Sequence, residues 1–279
     1  MVLFRVLGTA AAGFLVGVLD AYWAVFTIDA LTFLLSAAFI SRIVLDETIK
    51  KITGDMGAQI GQLVSEMGDG LRAIRSSRLL TGIAVGFAAA MLGIGAINVL
   101  LPVIVINELM VSETWFGLIE LAQASAMIIS GLFVTVLAAR FKATNIAWVC
   151  LFLAGIATLA MVPLSQLWQL FPILFGIGLV ITPMQAASAT ILQTATDEAM
   201  LGRVGSVVSA IIQVATLASM FAAGLLAESI GTRTVFMISA VLVCGAAVVM
   251  GLIFRGGEQE FEKMEAPVQE VAVSQEAAG

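Results

Sequence analysis

Eight apolar runs, at roughly 3–19, 22–41, 82–106, 116–138, 144–164, 168–192, 204–227 and 233–254, account for most of the 279-residue sequence. A helix that crosses hydrocarbon needs about 20 mostly apolar residues. Runs of that length leave few alternatives, because backbone in hydrocarbon must satisfy its own hydrogen bonds and a helix does so internally. Apolar residues make up 61% of the chain and charged residues 11%, against about 45–50% and 25% in soluble domains. The expected fold is an all-α, polytopic membrane protein with eight transmembrane helices. The first run is short and rich in Gly and Ala, but Asp20 and a second apolar run follow it without a cleavage site. It reads as a span rather than a signal peptide.

The composition excludes several chemistries. There is no histidine, which removes HExxH zinc hydrolases and His-dependent triads. Cys150 and Cys244 lie far apart inside apolar runs and read as buried free thiols, not as a metal framework. No metal site, no cofactor and no enzymatic activity are expected. The net charge of −6 belongs mostly to the C-terminus, where six Glu and one Lys follow Gly256. An acidic tail is not a nucleic-acid-binding surface.

Basic residues orient the spans. With Met1 inside, eight crossings place Arg5, Arg42, Lys50, Lys51, Arg72, Arg75, Arg78, Arg140, Lys142, Arg203, Arg255 and Lys263 on the inner side, and only Arg233 outside. The positive-inside rule therefore puts both termini in the cytoplasm of a cell (inner) membrane protein. Trp23, Trp115 and Trp168 fall at the outer boundary, where indole rings settle. Residues 42–81 form an inner connection in which Met56, Ile60, Leu63, Met67, Leu71 and Ile74 recur at three- and four-residue steps. That spacing predicts an amphipathic helix on the membrane face or against the bundle. Residues 256–279 are expected to be a disordered acidic tail.

Several short motifs carry a resemblance when taken in order. They are Leu7-Gly8-Thr9-Ala10-Ala11-Ala12-Gly13, Ile28-Asp29-Ala30-Leu31-Thr32-Phe33, Glu66-Met67-Gly68-Asp69-Gly70-Leu71-Arg72, Asn98-Val99-Leu100-Leu101-Pro102 and Met200-Leu201-Gly202-Arg203-Val204. Together they resemble the major facilitator superfamily, in particular its drug- and siderophore-exporter branch, over helices five to twelve of that twelve-helix fold. Thr9 and Ala12 depart from the exporter motif of the fifth helix. Ala138 and Ala139 stand where the family's cytoplasmic turn carries an acid, while Arg140 and Lys142 are kept. The resemblance implies that 1–41 holds the last two helices of one transporter half, 42–81 the linker, and 82–255 the six helices of the other half. It also implies proton-coupled efflux of hydrophobic or amphipathic small molecules, and it gives conformational or gating roles to Gly8 and Gly13 in the fifth-helix motif and to Gly202, Arg203 and Arg140 at the inner turns. Four family helices have no counterpart in the sequence. The alternative is therefore a non-transporting membrane fragment or an interaction subunit of a split transporter.

Polar residues inside spans are costly and face a cavity or another helix. Glu120, Gln123, Met127 and Ser130 share one helix face, and Ser206, Ser209, Gln213 and Thr216 share another. Asn98 and Gln185 stand on two further spans. Glu120 is the candidate proton carrier. Its plainer alternative is a wet position about five residues, roughly 7–8 Å, from the outer edge. Asp29 is the other intramembrane acid, and the resemblance implies a packing hydrogen bond for it. Neither acid has the flanking motif of an intramembrane protease. The expected partners are the lipid bilayer, a small-molecule substrate and protons.

Overall fold

The computed structural model describes residues 22–42, 56–112 and 115–276, and the described residues contain helices but no strand. In chain order these helices are α1 (Tyr22–Ile40), α2 (Met56–Ser76), α3 (Arg78–Val103), α4 (Phe116–Arg140), α5 (Ala143–Leu159), α6 (Leu167–Thr194), α7 (Glu198–Ile230) and α8 (Thr232–Glu276). A π-helical turn, Ile104–Glu108, continues α3 just beyond Pro102. A missing N–H at proline disturbs the regular ladder.

Among the described residues, five helices are long and apolar enough to cross a membrane: Arg78–Glu108, Phe116–Arg140, Leu167–Thr194, Glu198–Ile230 and Thr232–Gly256. Five of the eight expected spans therefore meet this measure. The α5 helix has 17 residues because Pro163 closes it, and the chain leaves through tight turns such as Met161 N–H to Thr158 O. The apolar stretch Phe26–Ile40 of α1 is also shorter. The run at 3–19, with Gly8 and Gly13, lies outside the described residues.

One further expectation changes. Beyond Arg255 the chain does not leave its helix, since α8 continues to Glu276 through the segment read as a tail. Glu, Gln, Lys, Met and Ala dominate its first turns, and they are strong helix formers. The expected amphipathic helix is α2, and it packs against the bundle through only part of its apolar stripe. Gly70 approaches the Arg203 carbonyl and Val207 of α7, Ile74 is buried, and Met67 and Leu71 remain exposed.

Small residues set how α3–α8 pack, as they do where dispersion rather than hydrophobic transfer drives association. Gly82, Gly86 and Gly93 of α3 abut Phe254, Met250 and Ser239 of α8, so these helices run antiparallel. Gly155 abuts Cys244, and Gly251 abuts Trp148, which makes α5 and α8 antiparallel too. Gly178 abuts Gln123 and Ala126, and the Thr182 hydroxyl donates to the Met127 carbonyl at 3.2 Å, so α4 and α6 run parallel. Gly95 meets Thr216 and Ser219, and the Ser219 hydroxyl donates to the Leu92 carbonyl at 2.6 Å, joining α3 to α7. The remaining major seam is α5 with α6. This pattern maps onto itself when α3–α5 and α6–α8 are exchanged: α3–α8 becomes α6–α5, α3–α7 becomes α6–α4, and α5–α8 is unchanged. Two three-helix units with an odd number of crossings are inverted relative to each other.

Alternating helices bring the connections to two ends. At the basic end, Arg78 Nη1 donates to the Gly256 carbonyl at 3.0 Å, and Arg203 lies 3.8 Å from Glu66 and 3.9 Å from Asp69. At the opposite end, Arg233 Nε donates to Glu108 Oε2 at 3.1 Å and its Nη2 to the Leu164 carbonyl at 3.0 Å. One side chain thus ties the ends of α3 and α5 to the start of α8. Arg233→Gln should lower stability in detergent by about 1 kcal/mol, the scale of one partly exposed pair plus one hydrogen bond. A melting temperature equal to that of the parent protein would show that the clamp contributes nothing.

Candidate functional site

Polar side chains within the apolar helices fall into two groups. The first is used up in packing. Ser130 is buried, with its hydroxyl 3.1 Å from the Met127 carbonyl and 3.5 Å from the Gly178 carbonyl. Ser206 and Thr216 donate to the carbonyls of Arg203 and Ile212 in their own helix, a common resort of hydroxyls in membrane helices. The α4 stripe accordingly lies along the α4–α6 seam, where Met127 is buried and Gln123 and Glu120 are half-buried.

The second group stays open. Asn98 on α3, Gln185 on α6 and Gln213 on α7 are exposed, and none of these amides has a hydrogen-bond partner among the described residues. Their helices touch one another: α3 packs along α7, and α6 makes lesser contacts with both. The opposite sides of the same helices are buried, as at Leu100, Met184 and Val208. Around Gln213 the open surface of α7 is apolar, with Val214 67% and Phe221 72% exposed. From the α3–α7 register, Asn98 and Gln213 stand on opposite sides of the Gly95–Thr216 contact, separated by about 10 Å along the bundle axis at 1.5 Å per residue. The amides therefore occupy different depths and do not form one compact cluster. Unpaired amides facing hydrocarbon are expensive, so such a face fits water, a ligand or further helices.

The other sequence candidates separate from this face. Asp29 is exposed on α1, and its backbone carbonyl accepts from the Thr32 hydroxyl. Gly202 is exposed at the start of α7, beside the Arg203 pairs with α2. Arg140 is exposed at the end of α4 and has no ion pair among the described residues. Sequence reasoning had Arg203 clamp the inner face but missed its acidic partners, and it missed the outer clamp altogether. The outer one had a signal, since the lone outer cation Arg233 shares its side with Glu108. The Arg203 pairs join residues more than 130 positions apart and had none. Among the described residues, no cluster of His, Cys, Asp or Glu could hold a metal ion.

A family model, Major Facilitator Superfamily, matches residues 83–272, a stretch from the first turns of α3 into the far part of α8. No curated protein matches the chain. The matched region covers more than half of the sequence and takes in α4–α7, nearly all of α3 and most of α8, with Asn98, Gln185 and Gln213. The chain is a multi-pass membrane protein and belongs to the major facilitator superfamily of transporters.

Proposed function

We propose that the chain supplies the second half of a major facilitator exporter for hydrophobic or amphipathic small molecules, driven by protons. The observation that carries this reading is a set of open amides on α3, α6 and α7. Asn98, Gln185 and Gln213 are each exposed without a hydrogen-bond partner among the described residues, with exposed apolar side chains such as Val214 and Phe221 near Gln213. Such a surface suits ligands held by dispersion and a few hydrogen bonds. Transporter sites of this kind lie near the bilayer midplane between two helical halves. In the proposed working protein a first half covers these helices, and α1 belongs to that half. Glu120, half-buried at the α4–α6 seam, is the acid proposed to carry the proton. Arg203, Arg140 and Gly202 stand at the ends of α4 and α7 where the halves would move, and Gly8 and Gly13, outside the described residues, are proposed to take part in the same movement.

The test is dye efflux from cells that carry the chain alone or together with a half of four further helices. Gradient-dependent efflux by the paired form supports the reading. Binding without movement in both forms would favour an interaction subunit instead.

The proposed orientation puts the basic end in the cytoplasm. A cysteine at Ser165 should react with an impermeant maleimide from outside, and one at Ser274 only after permeabilisation. External labelling at Ser274 would reverse the topology.

A further inference from the structure

We infer that the basic ends of α4, α5 and α6 form a binding site for an anionic phospholipid, with an acyl chain in the cleft between the helices and the phosphate against Arg140 and Lys142. The cleft has a volume of about 190 Å³ and is lined by Val134, Leu137, Phe141, Ile146, Pro183 and Thr190, among others. No lining residue is charged. Its floor is buried at Ile146 and Pro183, while Phe141 and Thr190 at the rim are exposed. The cleft exists because α4 and α5, though consecutive, hardly pack on each other: α4 packs on α6, and α5 packs on α6 and α8. Phe141 and Lys142 join them in extended backbone.

Depth and charge choose the occupant. From Phe141 to Val134 the lining descends about 10 Å along α4, from the level of lipid headgroups into hydrocarbon. Arg140 and Lys142 flank Phe141 at the rim, are exposed, and have no ion pair among the described residues. Of the other basic residues at this end, Arg203 is paired with Glu66 and Asp69 and Arg72 with Asp69, while Arg75 and Arg255 do not line this cleft. The first turn of α5 adds backbone N–H groups at the same level, because its cap, Lys142, makes no side-chain cap bond. Two free cations above an apolar cleft match a phosphate that carries a chain. A soluble anion would leave the cleft unused, and a zwitterionic lipid would bring a second charge of the wrong sign.

The experiment is native mass spectrometry of the full chain, delipidated in detergent and offered phosphatidylglycerol, phosphatidylcholine or inorganic phosphate. Phosphatidylglycerol should be retained over phosphatidylcholine by on the order of tenfold, the scale of two cations near an anionic headgroup. The double variant Arg140→Gln/Lys142→Gln should lose that preference but keep weak retention of both lipids. Ala186→Leu, which fills the cleft from α6, should reduce retention of both. The single Arg140→Gln and Lys142→Gln variants, each expected to lose part of the preference, decide the matter if the double variant does not fold. An unchanged preference in the charge variants overturns the inference. So does unchanged retention in Ala186→Leu, or displacement of the lipid by inorganic phosphate alone. Retention is read without transport, so failure here leaves the proposed efflux function standing.

Discussion

Valine in place of Gly178 should drive α4 away from α6 and prevent recovery of a monodisperse protein. Even a single added Cβ would lie 2.8 Å from the Ala126 Cβ and closer still to the Gln123 carbonyl. Much of the obstacle is backbone, so no rotamer change relieves it. The same displacement breaks the Thr182 bond to the Met127 carbonyl and the Ser130 contact with the Gly178 carbonyl. Overpacking of this kind costs about 3 kcal/mol, at the upper end of its usual range. Gly176 supplies the control. It lies two residues away in the same helix and has nothing within 4 Å of an added Cβ, so Gly176→Val should behave nearly as the parent protein. Equal thermal stability of the two variants would show that the α4–α6 seam is not held by this close approach.

The same seam shows what a single sequence can convey about this fold. Hydrocarbon demands long apolar runs, so five crossing helices could be located by composition, and the sharing of connections between two ends followed from the basic residues. Periodicity then told which residues share a helix face, as for Glu120, Gln123, Met127 and Ser130. It did not tell what the face meets, because that depends on Gly178 arriving from fifty residues downstream. Periodicity likewise located α2 as an amphipathic helix but not the residues by which it docks: Gly70, with Glu66 and Asp69 matched to Arg203, brings it against α7. At α8 the expectation rested on charge density, whereas Glu258 to Ala266, past the Gly256-Gly257 pair, is mostly Glu, Gln, Lys, Met and Ala, which favour helix. The open amides on α3 and α6 were legible because few polar residues stand in those runs. That they remain without partners was visible only in the packed bundle.

At Glu120 the proposed coupling mechanism meets its sharpest test. Glu120→Gln keeps the size and hydrogen-bonding reach of the side chain but removes its proton, which separates coupling from packing. In vesicles of the paired transporter, efflux by this variant should lose its dependence on a pH gradient and fall to the rate seen with the gradient collapsed. Expression should stay close to the parent level, because Glu120 is only half-buried. Asp29→Asn provides the contrast. Asp29 stands exposed on α1 and away from the α4–α6 seam, so its substitution should lower assembly of the paired form while the protein that remains stays gradient-dependent. Gln213→Leu completes the comparison, because it removes an open amide without touching any titratable group. It should reduce efflux through weaker substrate binding, visible as a higher KM at unchanged gradient dependence. Gradient-driven efflux at the parent rate in Glu120→Gln would take this carboxylate out of the mechanism. The coupling would then have to be sought in the half that covers the α3–α6–α7 face, because the other described acids of α3–α8 lie at helix ends or beyond the apolar segments: Glu108, Asp197, Glu198, Glu228 and the Glu residues past Gly256.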